Sequence, residues 1–117
     1  MDAEIVRNYN LRKKGVTEGF PFDEATLVFK VMGKIFCLLS LDYPGSMNLK
    51  CDPVRAIELR EKYEDINPGY HMNKKHWNTI DLTGTLDDQL IFKLIDHSYG
   101  LVVKGLPKKV KNELDNL

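Results

Sequence analysis

Two strand-like runs separated by a short turn constrain the fold of this chain more than any other feature. Residues 25–32 (ATLVFKVM) and 35–41 (IFCLLSL) are rich in branched, aromatic and aliphatic side chains, which favour β-strands. Gly33 and Lys34 supply a tight turn, so we expect an antiparallel hairpin. Residues 35–39 place apolar side chains on both faces of the strand, whereas a strand with one solvated face alternates apolar and polar residues. The second strand is therefore predicted to be central, or to meet a partner with its outer face.

Patterns elsewhere in the chain complete an α+β fold. Alternation predicts a third strand at 46–51 and another at His76–Leu82, with a short one before it at Tyr70–Met72. Helical spacing predicts helices over 2–14, 53–64, 86–104 and 108–117. The order of helix, three strands, helix, two strands and helix is typical of a two-layer α/β sandwich, in which helices cover one face of an antiparallel sheet. A chain of 117 residues is long enough for one core, so we expect residues 1–117 to form a single domain.

Local signals give finer predictions for two of these helices. Asp52 followed by Pro53 is typical of a helix start, with Asp as N-cap and Pro at the first position. The buried stripe of that helix is predicted to be Val54, Ile57 and Tyr63, with Ala56 and Leu59 alongside. Thr85 and Asp88 resemble a capping box for the next helix.

Composition narrows the class of protein. Hydrophobic residues make up 43% of the chain, and 17 basic residues balance 17 acidic ones, so any attraction to DNA must come from a local patch. No apolar run approaches the roughly 20 residues of a membrane span, and the N-terminus lacks a signal-peptide core, so we expect a cytoplasmic protein without membrane association. Cys37 and Cys51 lack metal or redox spacing and are predicted to be buried, reduced thiols.

The polar residues do not predict a catalytic or metal site. His71 and His76 lie five apart, which is neither a metalloprotease nor a zinc-finger spacing. Asp96, His97 and Ser98 are consecutive on a predicted helix and therefore point in different directions. Ser98 is expected to face the core and His97 the solvent. We expect no enzyme activity, no metal and no cofactor.

Basic clusters offer local patches for nucleic-acid binding, and the alternative is that charge runs of this length are solvated faces. Lys74, Lys75 and His76 precede the only tryptophan, Trp77, and further lysines follow the long helix at 104, 108, 109 and 111. Cations bind phosphates, and an exposed aromatic ring can stack on unpaired bases. If Ile80 and Leu82 face the core, alternation turns Trp77 to the outer face of the sheet. The alternative is that Trp77 packs under a helix end or the C-terminal tail.

Several separated segments carry a family resemblance. PGYHMNKKHWNTIDLTG (68–84) and LIDHSYGLVVKGLPKK (94–109), preceded by GKIFCLLSL, LKCDP and LREKYE, closely resemble the MmcQ/YjbR family of small bacterial proteins, from about Phe20 to Lys109. The resemblance implies a fold like that of secretion chaperones and CyaY. It also implies DNA binding through a double-wing arrangement of strands and loops, without catalytic residues.

Two functional hypotheses follow from these observations. The first is a DNA-binding, transcription-associated protein of the MmcQ/YjbR type. Its contacts are predicted at Lys74, Lys75, His76, Trp77, Asn78, Lys104, Lys108 and Lys109. The second is a protein-interaction module or homodimer that uses the open sheet face around Trp77, together with the outer side of the Ile35 to Leu41 strand, and binds no nucleic acid.

Overall fold

The computed structural model describes residues 1–42, 44–69 and 72–117. Within these ranges the chain forms helices and strands with the following bounds: α1 Ala3–Leu11, β1 Val16–Gly19, β2 Thr26–Val31, β3 Lys34–Ser40, β4 Ser46–Lys50, α2 Pro53–Lys62, β5 Ile66–Pro68, β6 Trp77–Asp81, α3 Asp88–Lys104 and α4 Lys108–Asp115. All neighbouring strands are antiparallel, and the sheet order is β1-β2-β3-β4-β6-β5. The predicted α+β class and antiparallel sheet are confirmed.

The hairpin that constrained the fold is formed by β2 and β3. Strand β3 is hydrogen bonded to β2 on one side and to β4 on the other, which confirms its predicted central position. The turn consists of Met32 and Gly33, with φ angles of 49° and 83°. Two consecutive positive φ angles are the mark of a type I′ turn, so the turn lies one residue earlier than predicted.

The main core lies between one face of the sheet and the helices. Alternate residues of β2 and β4 contribute to it, β3 adds Phe36, Cys37 and Leu39, and α3 adds Ile91, Leu94 and Ile95. Ser98 of α3 is fully buried here, as predicted, and its hydroxyl donates to the carbonyl of Phe36 at 2.6 Å. The two-layer arrangement therefore holds, with α3 tied to the sheet by a polar contact as well as by packing.

Two strands of the sheet, β1 and β5, were not predicted from the sequence patterns. Strand β1 pairs with β2, and the three-residue β5 pairs with β6 where a loop was expected. Pro68 is tolerated in β5 because this strand forms the edge of the sheet. The predicted short strand at Tyr70–Met72 lies mostly outside the described residues, and Met72 itself is not in a strand.

Two predictions about the helices are wrong in detail. In α2, Ala56 and Leu59 are buried, but Val54 and Ile57 remain 66% and 54% exposed. The helix lies at the edge of the sheet beside β5, so it has a narrower buried side than a central helix. The capping residue of α3 is Asp87, whose side chain accepts from the backbone N–H of Gln89, rather than Thr85.

Candidate nucleic-acid interface

The strand registers bring separate basic segments to one end of the sheet. Val31 is opposite Lys34 and Lys50 is opposite Trp77, so the β2–β3 turn, the end of β4 and the start of β6 lie at the same end. Lys74 and Lys75 immediately precede β6 and are exposed. We call this end the basic end.

Helices α3 and α4 add their lysines at the same end. Ser98 contacts both Phe36 and Lys50, and Lys104 lies six residues further along α3, about 9 Å at 1.5 Å per residue. The far end of α4 lies at the β2–β3 turn, because Gly15 is next to both Leu114 and Met32. The basic end therefore collects exposed lysines from the start of β3, one turn and two helices: Lys34, Lys74, Lys75, Lys104, Lys108 and Lys109. Asp52, Glu113 and Asp115 lie at this end too.

Acidic residues concentrate at the opposite end of the sheet, which we call the acidic end. Ser40, Ser46 and Asp81 are in register there, and the backbone of Asp81 is bonded to that of Asp65 at 2.9 Å. Helices α1 and α3 both begin at this end. Its acidic residues are Asp2, Glu4, Asp23, Glu24, Asp42, Asp65, Asp81, Asp87 and Asp88. The zero net charge thus conceals a strong separation of charge along the strands.

The turn that carries Lys74 and Lys75 is held by Asn73 and Arg60. The backbone carbonyl of Asn73 accepts from the backbone N–H groups of His76 and Trp77. The side-chain Oδ1 of Asn73 accepts from the backbone N–H of Lys75 at 2.9 Å. From α2, the Arg60 guanidinium donates to the carbonyls of Lys74 and Trp77. Both lysines are therefore presented by a fixed turn.

Sequence reasoning missed the role of Arg60. Its Nε donates to Oδ1 of Asn78 at 2.6 Å, which satisfies a buried amide at the same time as the turn carbonyls. The only available signal was its place in the LREKYE segment, which the family resemblance had picked out.

Trp77 and Asn78 differ from what a contact surface requires. Trp77 points to the outer face of the sheet, as alternation predicted, but it is only 9% exposed because it packs with Val28, Leu38 and Met72. The prediction that the Trp77 ring is exposed is therefore wrong. Asn78 is 1% exposed and bonded to Arg60 and to the carbonyl of Ala56, so its side chain does not reach the surface. Lys74, Lys75, Lys104, Lys108 and Lys109 are exposed, and His76 is half-buried.

The basic residues that end α1 are engaged within the protein. Lys13 forms an ion pair with Asp96 and lies 4.8 Å and 5.1 Å from the ring centres of Tyr9 and Tyr99. Lys14 donates to the carbonyl of Asp115 at 3.0 Å. These two cations stabilise contacts between α1, α3 and α4, and they are less available to a ligand than the turn lysines.

Ser98 and His97, two of the polar residues considered for catalysis, form hydrogen bonds within the protein. The Ser98 hydroxyl accepts from the N–H of Lys50 at 2.9 Å while it donates to Phe36. Nε2 of half-buried His97 accepts from the N–H of Asp52 at 3.2 Å, and burial, reinforced by Arg55, lowers its pKa. In the described ranges, no three residues among His, Cys, Asp and Glu lie together as a metal site would require; His71 lies outside those ranges.

Cys37 and Cys51 are both free and buried, as predicted. Burial raises the pKa of the Cys37 thiol to about 12 and also raises that of Cys51. Across the helices of the described ranges, none combines the length and apolar character needed to span a bilayer.

This geometry defines a class of small α+β proteins with an open six-stranded sheet. The chain belongs to the YjbR family, whose model matches residues 11–101. It is 32% identical to the uncharacterized protein YjbR of Escherichia coli K12 over the full length of both chains. It is 42% identical to the uncharacterized protein YbdF of Escherichia coli O157:H7 over 92 residues, which cover 77% of this chain and 75% of that one.

Solved structures agree with the family assignment. A Deinococcus radiodurans crystal structure, described as containing a DUF419 domain, superposes with a TM-score of 0.89 at 40% identity, covering 96% of this chain and 86% of that one. A crystal structure from Pseudomonas syringae gives a TM-score of 0.77 at 30% identity, covering 86% of this chain and 98% of that one. These similarities extend the fold assignment across nearly the whole chain.

Proposed function

We propose that this protein binds DNA through the basic end, as a non-enzymatic, transcription-associated protein acting in the cytoplasm. The observation that carries the proposal is the collection of lysines from the start of β3, a turn and two helices at one end of the sheet, away from the acidic end. Phosphates are bound by such clusters, and a local cluster suffices even when the net charge is zero.

Helix stability alone does not account for the charge separation. Asp88 at the start of α3 and Lys104 at its end match the helix dipole, which favours acids at N-termini and bases at C-termini. Lys34 is the first residue of β3, and Lys74 and Lys75 lie in a turn, so no helix dipole favours a cation at these three positions. These three residues, with α4, are therefore the part of the basic end that supports a binding role.

The width of the basic end suits a duplex. Strands β1 and β6 are separated by four inter-strand spacings, which amounts to about 19 Å. The turn lysines lie next to β6, and the far end of α4 lies beside β1 at the β2–β3 turn, so the basic end spans this width. A binding role rather than catalysis is also favoured because Ser98 and His97 are occupied by structural hydrogen bonds.

The test is fluorescence anisotropy with a labelled DNA duplex at several salt concentrations. The wild-type protein is compared with Lys74→Ala/Lys75→Ala and with a control, Lys62→Ala/Lys93→Ala, which removes the same charge from a cleft at the acidic end. We expect the first pair to weaken binding and to reduce the salt slope by about 2, while the control binds as the wild type does. A dissociation constant above about 100 µM at low salt would contradict the proposal. An equal loss of affinity in the two double variants would contradict it as well.

A further inference from the structure

The outer face of the sheet carries a groove that the basic end does not use. Its volume is about 640 Å³, within the range of roughly 300–1,000 Å³ that is usual for small-molecule sites. It crosses β2, β3, β4 and β6, a width of about 14 Å. It is lined by Phe22, Asp23, Thr26, Leu38, Ser40, Ser46, Asn48, Met72 and Thr79.

Apolar side chains flank the groove and polar ones form its floor. Phe22 is 66% exposed, and Met72 lies on the other side beside Trp77. On the floor, Thr79 Oγ1 donates to Oδ1 of Asn48 at 2.7 Å, which fixes the orientation of the amide. Among the described residues, Nδ2 of Asn48 has no hydrogen-bond acceptor.

Charge restricts what the groove can bind. Among the described residues of its lining, Asp23 is the one that carries a charge at neutral pH. The backbone N–H groups of Ala25 and Thr26 donate to this carboxylate at 2.9 and 2.7 Å, and they lower its pKa. An ionised Asp23 repels phosphate, so the part of a ligand that enters the groove is uncharged or cationic.

Cations lie on the same face, just beyond the groove. Lys50 follows Asn48 by two residues on β4, about 7 Å along the strand, and its side chain alternates to the outer face. Lys30 lies at the corresponding end of β2. A ligand with an uncharged planar part in the groove and a phosphate toward Lys50 matches both features.

We propose that the groove takes an unpaired base of single-stranded DNA, stacked on Phe22 and hydrogen bonded by Asn48, while the flanking phosphates contact Lys50 and the basic end. Aromatic stacking combined with cations along the backbone is the usual way in which unpaired strands are held. The inference rests on the proposed function, and it adds a preference for single-stranded over duplex DNA.

The experiment compares a labelled single-stranded oligonucleotide with the duplex of the same sequence by anisotropy. Phe22→Ala is the test variant, and Phe20→Ala is its control, since Phe20 is also exposed but lines a different depression. We expect Phe22→Ala to weaken single-strand binding by about 5- to 100-fold and to leave duplex binding unchanged. The Phe20→Ala variant should bind both as the wild type does.

Asn48→Ala and Trp77 fluorescence provide independent readouts. Loss of the Asn48 amide should change the relative affinity for oligo-dA and oligo-dT, whereas loss of Phe22 should weaken both. Single-stranded DNA should also alter the emission of Trp77, because its neighbours Leu38 and Met72 line the groove.

The outcomes separate this inference from the proposed function. If duplex DNA binds through Lys74 and Lys75 but Phe22→Ala and Phe20→Ala behave alike, the groove does not hold a base and only the inference is overturned. If neither form of DNA binds, both are overturned.

Discussion

Nε of Arg60 donates to Oδ1 of Asn78 at 2.6 Å, and this contact connects α2 to β6 beneath the turn that carries Lys74 and Lys75. The same guanidinium reaches the carbonyl of Trp77 at 3.2 Å. Oδ1 of the buried Asn78, the carbonyl of Lys74 in the turn and the carbonyl of Trp77 at the start of β6 thus all accept from one side chain.

Replacing Arg60 with alanine is predicted to destabilise the fold by about 1–3 kcal/mol, because the buried Oδ1 of Asn78 loses its donor. The turn should loosen as well. Amide exchange at His76 and Trp77, measured by NMR, should therefore accelerate more than exchange in β2. Arg55→Ala, a half-buried arginine on the same helix, is the matched control. Equal exchange rates in both variants would show that Arg60 does not hold the turn.

Replacing Ser98 with alanine is predicted to lower the free energy of unfolding by roughly 1–3 kcal/mol. The hydroxyl bridges Phe36 and Lys50, and no water replaces it easily at a fully buried position. Urea denaturation measures the change, with Ser46→Ala on the outer face as the control. A loss below about 0.5 kcal/mol, ordinary for surface positions, would contradict a structural role for this contact.

His97 is predicted to make stability sensitive to mild acid. Burial lowers its pKa below the ordinary histidine value of 6.5, so the unfolded chain binds the proton more readily than the folded one. The resulting stability is fully present above pH 6.5 and declines as the pH falls below it. Urea denaturation between pH 8 and 5.5 should show this decline in the wild type and a smaller one in His97→Gln. Identical profiles would rule out His97 as the cause.

Cys37 is predicted to resist thiol reagents while the protein is folded. Its pKa of about 12 leaves almost no thiolate near neutral pH, and the residue has no exposed surface. Reaction with a chromogenic disulfide at pH 8 should be slow and should become rapid in denaturant. Rapid modification of Cys37 in the native protein, located by mass spectrometry, would show that this part of the core opens readily.

Strong local patterns predicted the frame of this fold. The apolar run of β3, the Asp52-Pro53 helix start and the spacing of α3 each matched the structure, since one physical preference dominates at each place. Strand β5 was missed because Asn67 and Pro68 are poor strand formers, and only pairing with β6 holds them extended. Local propensity carries no information about such a partner.

The candidate site was predictable only in part. The lysine clusters can be recognised in the sequence, but their position at one end of the sheet follows from the strand registers. The burial of Trp77 depends on Val28 and Leu38, which lie far away in the sequence, on β2 and β3, neither of which pairs with β6. Arg60 acts across 14 to 18 residues, a distance at which helix spacing says nothing about contacts.

The central claim is that DNA meets the basic end. The most direct measurement is a titration of isotope-labelled protein with a short DNA duplex, followed by amide NMR shifts. We predict the largest shifts at residues 33–34, 73–77 and 104–111, with little change around Asp23, Asp65 and Asp87 at the acidic end. Shifts centred on the acidic end, or none at millimolar DNA, would contradict the claim.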